Sequence, residues 1–166
     1  MTVSQTFHQP PQYWVTDFFG REQTESYSYY YDSNTIKVGY QSGYSFFVDY
    51  SYSYGSYYLT EFRLYNIFGT KVYTLGGVSL DLYSLAAGIP IGFTNQNVKF
   101  SNQNDVWANY EILAGGSEVN QSGYTVVDGM GGTDTWDLSS YSLTFMEFYE
   151  KYYFQMVGDV IYFYDY

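Results

Sequence analysis

The residues from Tyr44 to Tyr54 alternate with a period of two between aromatic and mostly small polar side chains. The even positions hold Tyr44, Phe46, Val48, Tyr50, Tyr52 and Tyr54, and the odd positions hold Ser45, Phe47, Asp49, Ser51 and Ser53. Successive side chains of a strand point to opposite faces of its sheet, so this period predicts a β-strand with one aromatic face and one polar face. The fold must therefore contain a sheet that accepts such a strand.

The same alternation recurs in three further segments, at residues 58–64, 78–83 and 106–112. Glycine accepts the positive φ that hairpin turns require, so Gly69 and the pair Gly76-Gly77 predict turns between apolar runs. Together these signals predict a meander through residues 44–85. Further strands are predicted near residues 13–19, 25–31, 35–40, 90–93, 97–100, 124–128, 142–149, 152–157 and 160–166.

Turn signals about every 8 to 12 residues, with few helical segments between them, predict an all-β fold. The specific expectation is a jelly-roll-like sandwich of two antiparallel sheets in a single domain, with a closed β-barrel as the alternative. Both arrangements protect the edges of tyrosine-rich strands. No recurring block of roughly 20 to 50 residues is recognised, so a repeat architecture is not expected.

Two segments have helical character. Leu82–Ala87 is followed by Gly88, which predicts the end of a short helix. In Ser142–Tyr153, some apolar residues have the i, i+3, i+4 spacing of a helix, but the five aromatic residues there favour a strand. A strand is the expectation for this second segment, and a helix is the alternative.

Residues 1–12 are polar and contain Pro10-Pro11, which removes two backbone donors and disfavours helix at Gln9. This segment is predicted to be an extended N-terminal arm, and residues 13–166 to be a single β domain. The only histidine, His8, lies in the arm and is expected to be an exposed polar residue. The N-terminus lacks the basic and apolar blocks of a secretion signal, and no apolar run approaches the roughly 18 residues of a membrane span.

The chain has 17 acidic and 6 basic residues, a net charge of -11 and 24% aromatic residues. Disorder is not expected, because disordered acidic chains are poor in aromatic residues. Six scattered cations cannot neutralise a run of phosphates, which argues against direct binding of nucleic acid. Cysteine is absent, so disulfides and thiolate metal sites are excluded. Without a recognisable nucleophile and base, metal shell or phosphate cradle, the sequence predicts no enzymatic activity.

A glycine-rich segment contains three carboxylates, those of Asp128, Asp134 and Asp137. Carboxylate oxygens in a loop are suitable ligands for Ca²⁺, so these three residues are the predicted metal ligands. Their spacing matches no established calcium loop, and Asp and Gly are also the usual residues of turns. An ordinary loop without a metal is therefore the alternative, and no other cofactor is expected.

The 24 tyrosines and 13 phenylalanines exceed what the interior of one small domain can hold, so many must contact solvent, a ligand or another subunit. Tyrosine combines a large apolar ring with a hydroxyl that tolerates water, which suits tyrosine-rich faces to association. We therefore expect a structural subunit of a repeating assembly, most concretely a small viral capsid or virion surface protein. Its partners would be copies of itself, reached in part by the N-terminal arm, and other virion or surface proteins.

Two alternatives belong to a different functional class. A monomeric carbohydrate-binding module would use exposed Trp14, Trp107 or Trp136 as stacking platforms, with Asn and Asp as partners for sugar hydroxyls. A lipocalin-like barrel would hold a small apolar ligand. The mass of the protein in solution separates the assembly hypothesis from both alternatives.

Charged residues make only 14% of the chain, which suits an acidic environment because Tyr, Ser, Thr and Asn keep their hydrogen bonds when Asp and Glu are protonated. The composition resembles the Tyr, Ser and Asn bias of surface and virion proteins from acid-living thermophiles, although no motif carries the resemblance. The expected location is an archaeal virus particle or extracellular assembly released without a signal peptide, with the cytoplasm as the alternative. We expect the fold to survive about pH 3 and acidification to strengthen assembly.

Overall fold

The computed structural model of the protein describes residues 2–87, 95–108, 125–128, 130–137, 152–155 and 160–162. The strands of these residues are β1 (Thr2–Phe7), β2 (Glu25–Asp32), β3 (Thr35–Tyr40), β4 (Ser45–Ser53), β5 (Ser56–Tyr65), β6 (Lys71–Gly76), β7 (Leu80–Asp81), β8 (Asn95–Lys99), β9 (Val106–Ala108), β10 (Thr125–Asp128), β11 (Thr135–Asp137), β12 (Tyr152–Gln155) and β13 (Val160–Tyr162). The helices are a 3-10 helix at Pro11–Tyr13, α1 (Val15–Gly20) and α2 (Leu82–Ala86). The predicted all-β fold is confirmed.

The described strands form one large sheet and one small sheet. The large sheet has ten strands in the order β12-β10-β8-β1-β6-β5-β4-β3-β2, and β7 pairs with β5 beside this path. The small sheet has the order β13-β11-β9. The path from β12 to β2 is open, so these strands do not form the closed barrel that was the alternative.

The strands from β2 to β6 pair antiparallel with their sequence neighbours, which confirms the predicted meander from residue 44 to β6. Tyr44 is buried, and Phe46 and Val48 pack against the core. The aromatic face of the alternating segment therefore points inward over its first half. A bulge in the pairing of β4 with β5 follows, between Asp49 and Tyr50.

One of the two predicted glycine turns is a hairpin and the other is not. Between β5 and β6, Asn66 Oδ1 accepts hydrogen bonds from the backbone N–H groups of Phe68 and Thr70, both at 3.0 Å, and Gly69 has φ of 75°. After β6, Gly77 with φ of 66° interrupts the strand without reversing it, because β7 continues along the same edge of β5. The prediction of a hairpin turn there is wrong.

The strands that follow residue 94 pair in parallel. In the large sheet β8 pairs with β1 and β10, and β10 pairs with β12; in the small sheet β11 pairs with β9 and β13. The chain crosses from β8 to β9 and again from β10 to β11, so these segments stack as successive rungs. The expectation of antiparallel sheets, on which the jelly-roll-like sandwich rests, is wrong for this half of the described chain. Alternation with a period of two shows which residues share a face but not the direction of the neighbouring strand.

A repeat of 29 residues relates the first two rungs, contrary to the prediction of no recurring block. In the register of the strands, Val127 lies beside Val98 and Trp136 lies beside Trp107. Hydrogen bonds join the turn before β9 to the turn before β11, and one of them runs from Thr133 N to Asn104 Oδ1 at 2.8 Å. Asp105 N donates to the Asp134 side chain at 2.9 Å, and Thr135 N donates to Asp105 O at 2.8 Å.

β1 lies at the centre of the large sheet. It pairs antiparallel with β6 and parallel with β8, and its side chains Val3 and Phe7 are buried. The prediction that residues 1–12 form an arm outside the β domain is therefore wrong, because burial of these apolar side chains in the core favours the strand. Pro10 and Pro11 are buried as well, and Pro11 begins the 3-10 helix.

The segment 13–19, for which the sequence predicts a strand, forms the end of the 3-10 helix and most of α1. Trp14 and Val15 are buried and Phe18 packs against the same core, a spacing that one face of a helix provides. The strand prediction is therefore wrong here.

The predicted helix after residue 81 is confirmed as α2. The Asp81 carboxylate accepts a hydrogen bond from Tyr83 N at 2.9 Å and so caps the N-terminus of the helix. The predicted terminating residue Gly88 and the segments 90–93 and 142–149 lie outside the described residues.

Phe7 is the centre of an aromatic cluster that joins four parts of the chain. Its ring centroid lies 5.1 Å from that of Phe100, 5.2 Å from that of Tyr73 and 6.1 Å from that of Trp14. These partners lie directly after β8, in β6 and directly before α1, respectively. The cluster holds β1 in the sheet from the core side.

We expect Phe7→Ala to lower the free energy of unfolding by about 3–5 kcal/mol, because it leaves a cavity between these elements. Phe19→Ala is the matched control, since Phe19 is 57% exposed and we expect a change within about 1 kcal/mol. Urea denaturation of both variants measures the difference. Equal and small effects would show that the N-terminal segment does not belong to the core.

Candidate interaction surface

Exposed tyrosines concentrate at one end of the large sheet. Among the described residues, seven largely exposed tyrosines lie on β2 and on the hairpin of β4 and β5: Tyr27, Tyr29, Tyr30, Tyr31, Tyr52, Tyr54 and Tyr57. We call these seven residues the tyrosine edge. Apolar surface gathered in one place on a soluble protein marks a site of interaction.

The composition of β2 explains why this end of the sheet stays open. All eight residues of the strand are exposed. Its sequence, Glu-Ser-Tyr-Ser-Tyr-Tyr-Tyr-Asp, has no aliphatic side chain that burial in a core would favour. Among the described strands β2 is also the last in the sheet order, so its side away from β3 presents backbone N–H and C=O groups.

Three tyrosines of β2 project from one face of the sheet. The rings of Tyr27 and Tyr29 stack with centroids 6.0 Å apart, and the ring of Tyr31 packs edge-on against Phe47 at 5.2 Å. Lys37 Nζ lies over the rings of Tyr27 and Phe47, at 5.9 and 5.2 Å from their centroids. We call this the outer face, since Phe46 and Val48 of the same strand as Phe47 face the core.

The position of the Tyr27 ring depends on Gly39 in β3. A Cβ atom built at Gly39 would overlap the Cε1 and Cζ atoms of Tyr27. The absence of a side chain at this position therefore lets the ring lie directly on the neighbouring strand, which is a common reason for glycine within a sheet.

A cleft of about 330 Å³ lies next to these rings on the outer face. Arg63 Nη2 donates to Asp49 Oδ1 at 2.6 Å, and Thr35 Oγ1 donates to the same oxygen at 2.8 Å. The guanidinium of Arg63 also lies over the ring of Phe47, 5.4 Å from its centroid. Because the arginine and the aspartate compensate each other's charge, the cleft offers aromatic walls and paired polar groups.

The opposite face of the same edge also carries aromatic surface. A hollow of about 500 Å³ is lined there by Tyr30 of β2, Tyr50 and Tyr57 of the β4–β5 hairpin, and Leu82 and Tyr83 of α2. Tyr50 donates its hydroxyl proton to Ser33 O at 3.1 Å. The tyrosine edge can therefore contact a partner from both sides of the sheet.

Tyr54 occupies a backbone position that tyrosine does not favour. It forms a two-residue turn with Gly55 between Ser53 and Ser56, with φ of 49° and 80°. Such turns prefer Asn, Asp or Gly, because a positive φ strains most other residues. The Tyr54 side chain is 99% exposed, so the fold gains no burial from the ring. The fold of the single chain therefore gives no reason for an aromatic ring at this strained position.

The three predicted metal ligands lie in different surroundings. Asp134 is buried at the turn before β11, where its carboxylate accepts the hydrogen bond from Asp105 N. Asp128 is the last residue of β10 in the large sheet, and Asp137 is the last residue of β11 in the small sheet. Among the described side chains, no group of three His, Cys, Asp or Glu residues could hold a metal ion. The side chains of Asp128 and Asp137 are outside that description.

The sequence analysis missed a buried carboxyl group at Asp105. Ser101 Oγ donates to it, at 3.0 Å from Oδ1 and 2.9 Å from Oδ2, and Asp134 lies beside it. Burial raises the pKa of Asp105 to about 7, an effect that the Ser101 hydrogen bonds oppose and the charge of Asp134 reinforces. The recurrence of Asp two positions before Trp, at Asp105 and Asp134, is the signal that could have identified it.

Not all of the three tryptophans predicted to stack on sugars are exposed. Trp14 is buried, with only 2% of its surface exposed, and packs against Phe7 and Tyr73. The prediction that Trp14 is an exposed platform is therefore wrong. Trp107 and Trp136 are register neighbours in β9 and β11, and their side chains lie outside the described part of the structure.

His8 is partly buried, although the sequence predicts an exposed residue. Its Nε2 lies 2.8 Å from Thr74 Oγ1. Partial burial and the charge of Lys71 lower the pKa of His8. The imidazole is therefore stabilised in its neutral form and adds to the packing of β1 on β6.

The chain matches no protein-family model, no curated protein and no solved structure. Within the described residues, no helix combines the length and the apolar character needed to cross a membrane.

Asp105 makes stability depend on pH in a specific window. Its folded pKa, about 7, is above the ordinary value of 3.8, so the folded chain holds this proton more tightly than the unfolded chain. The resulting stability is complete below about pH 4 and is lost as the pH rises through 7. When the pH is lowered from about 7.5 to about 5, we expect the free energy of unfolding of the wild type to rise by on the order of 3 kcal/mol relative to that of Asp105→Asn. In this variant the side chain stays neutral at both pH values.

Thermal melts of both proteins across this window measure the difference. The lowered pKa of His8 acts in the opposite direction below about pH 6.5, but equally in both proteins. Asp17, whose pKa is lowered by hydrogen bonds from Tyr44 and Arg21, titrates below the window. Glu22→Gln, at an exposed carboxylate, is the control and should follow the wild type. Parallel curves for the wild type and Asp105→Asn would refute the assignment.

Proposed function

We propose that this protein is a structural subunit of a repeating assembly and that it packs against copies of itself through the tyrosine edge. The observation that carries the proposal is the concentration of seven exposed tyrosines on β2 and the β4–β5 hairpin. Tyrosine rings supply large contact areas at a low cost in side-chain entropy, and their hydroxyl groups keep the free subunit soluble.

The arrangement of the tyrosine edge favours a protein partner over a small ligand. A small ligand is normally held in a concave pocket that covers most of its surface. The tyrosine edge is convex at Tyr54, which projects fully into solvent, and it extends over both faces of the sheet. A neighbouring subunit can cover such a surface, and stable interfaces bury about 1,600 Å² in total.

In the more specific form of the proposal, the assembly is a small viral capsid or another part of a virion surface, from an acid-living archaeal host. The support is the composition, with 24 tyrosines and few charged residues, together with the small number of ion pairs. Among the described residues these pairs involve only Arg21 and Arg63. A surface with few ion pairs has few contacts that protonation of its carboxylates at low pH would break.

Binding of a small neutral saccharide is the second candidate. The cleft next to Phe47 favours it, because it combines the aromatic walls of Tyr31 and Tyr65 with polar groups of Asp32 and Asp49. Sugars bind to such combinations of ring faces and hydrogen-bonding groups. This function predicts a monomer that gains thermal stability from added saccharide, whereas the assembly predicts association without any ligand.

The variant Tyr54→Asn tests the proposal through two opposite effects. We expect its unfolding free energy to rise by roughly 0.5–1 kcal/mol, because Asn adopts the positive φ of the turn with less strain. We expect its self-association, measured by sedimentation equilibrium, to weaken relative to the wild type. Tyr13→Asn is the control, since Tyr13 is 65% exposed but lies outside the tyrosine edge.

Each result of the Tyr54 experiment has a consequence. A more stable subunit with weaker association supports the assembly, since the wild type then retains a strained residue for contact. A wild type that is monomeric at every concentration, both near neutrality and in acid, would refute the proposal. Unchanged association of Tyr54→Asn would remove the hairpin tip from the interface.

We expect self-association to become stronger as the pH falls from about 7 to about 4. The net charge of -11 repels neighbouring copies at neutral pH, and protonation of Asp and Glu reduces this repulsion. Raising the ionic strength at pH 7 should produce part of the same effect, because salt screens the repulsion. Sedimentation velocity at both pH values checks this, and dissociation on acidification would contradict it.

A further inference from the structure

The middle of β2 carries few of the features that protect sheet edges. Edge strands normally avoid association by means of proline, lysine, bulges or a covering segment. β2 contains neither proline nor lysine, and all eight of its residues are exposed. Its two register shifts against β3 lie near its ends, between Glu25 and Tyr27 and between Tyr30 and Asp32. The stretch between them, Tyr27–Tyr30, is regular, and the second shift falls at Tyr31, whose ring still packs on Phe47.

The tyrosines of the outer face are symmetric about Tyr29. Tyr27 stacks on Tyr29, and Tyr31 lies two residues further along, on the same face, against Phe47. The positions on either side of Tyr29 are therefore occupied by the same residue type at the same spacing. This pattern is suited to pairing with its own copy in the opposite direction.

Symmetry limits the possible registers of such a pair. When two copies of an edge strand extend one sheet in antiparallel fashion, a twofold axis perpendicular to the sheet relates them, so each outer face continues the other. Residues opposite each other then come from the same face. A register with Tyr29 opposite Tyr29 places Tyr27 opposite Tyr31 twice, which gives a ladder of six rings.

This register also separates the acidic residues. Counted along the two chains, Asp32 would come nearest to Ser26, and Glu25 nearest to Ser33 just after β2, so no two carboxylates would face each other directly. A shift by two residues would pair Tyr31 with Glu25 in one direction, or Tyr27 with Ser33 in the other, and either shift loses part of the aromatic ladder. Directly opposed side chains have Cβ atoms about 4.5–5.5 Å apart, and aromatic pairs at this distance stabilise sheets.

We infer that β2 pairs antiparallel with β2 of a second copy of this chain, and that the twofold axis passes between the two copies of Tyr29. The inference rests on the proposed function and adds to it the strand, direction and register of one contact. The large sheet then continues from one subunit into the next, and the tyrosines of both copies form one surface on the outer face.

Cysteine cross-linking tests the register, because the natural chain contains no cysteine. Under mild oxidation in associating conditions, we expect Tyr29→Cys to form disulfide-linked dimers at least roughly tenfold faster than Ser28→Cys. The two introduced thiols are directly opposed in the first variant, and in the second they lie on a diagonal about 7–8 Å apart. Asn97→Cys on β8, an exposed site separated from β2 by five strands of the large sheet, is the control for random collision.

A pair of charged variants tests the same contact without cross-linking. At pH 7, Tyr29→Lys and Tyr29→Glu each place like charges opposite one another, and we expect each alone to lose roughly tenfold or more in association constant. Mixing the two variants should restore association as a heterodimer, because opposite charges then meet on the axis. Circular dichroism of each variant confirms that the subunit is folded.

The outcomes distinguish this inference from the proposed function. A wild type that associates, combined with slow cross-linking at Tyr29 and no recovery on mixing, would overturn the β2 contact and leave the assembly in place. Faster cross-linking of Ser28→Cys would overturn the register, since that residue would then lie on the axis. A wild type that never associates would overturn both, and β2 would then be free to pair with a strand of another protein.

Discussion

The pairing of β1 on both of its sides is the constraint on which the rest of the structure depends. On one side β1 joins the antiparallel meander through β6, and on the other it joins the parallel rungs through β8. It is the strand of the large sheet at which the two halves meet. Phe7 secures it by contacts with Tyr73 and Phe100, one ring from each half. The two ends of the large sheet can therefore carry different kinds of side chain while they share one core.

The tyrosines serve two different purposes, and their positions in the sheet separate them. Tyr44 and Tyr73 are buried, and their hydroxyl groups donate to Asp17 at 2.6 Å and to Gln5 at 2.8 Å. Burial raises the pKa of both phenols. The tyrosines of β2 instead keep their rings in solvent, where a hydroxyl group makes an apolar ring tolerable. The same residue type therefore builds the core and covers the exposed edge of the sheet.

Ion pairs contribute little to the stability of the described fold. The ion pairs of Arg21 and Arg63 are partly exposed, and exposed pairs contribute roughly 0–1 kcal/mol each. Asp105 favours the protonated state because it is buried beside Asp134. Asp17 acts in the opposite direction, since hydrogen bonds from Tyr44 and Arg21 lower its pKa. Acidification therefore removes few stabilising charges, and it neutralises the unfavourable buried charge of Asp105.

Local patterns in the sequence determined the all-β class, the strand from Tyr44, the hairpin at Gly69 and the helix after Asp81, because each depends on neighbouring residues alone. The tertiary structure decided that residues 2–7 form a central strand, that Trp14 is buried in a helix and that the rungs run in parallel. Strand direction and partner depend on contacts between distant segments, and the 29-residue repeat is marked only by Val98, Asp105 and Trp107 with their counterparts Val127, Asp134 and Trp136. The surplus of tyrosine pointed to an interaction surface, but only the order of the strands placed β2 at the edge, where its tyrosines have no core to enter.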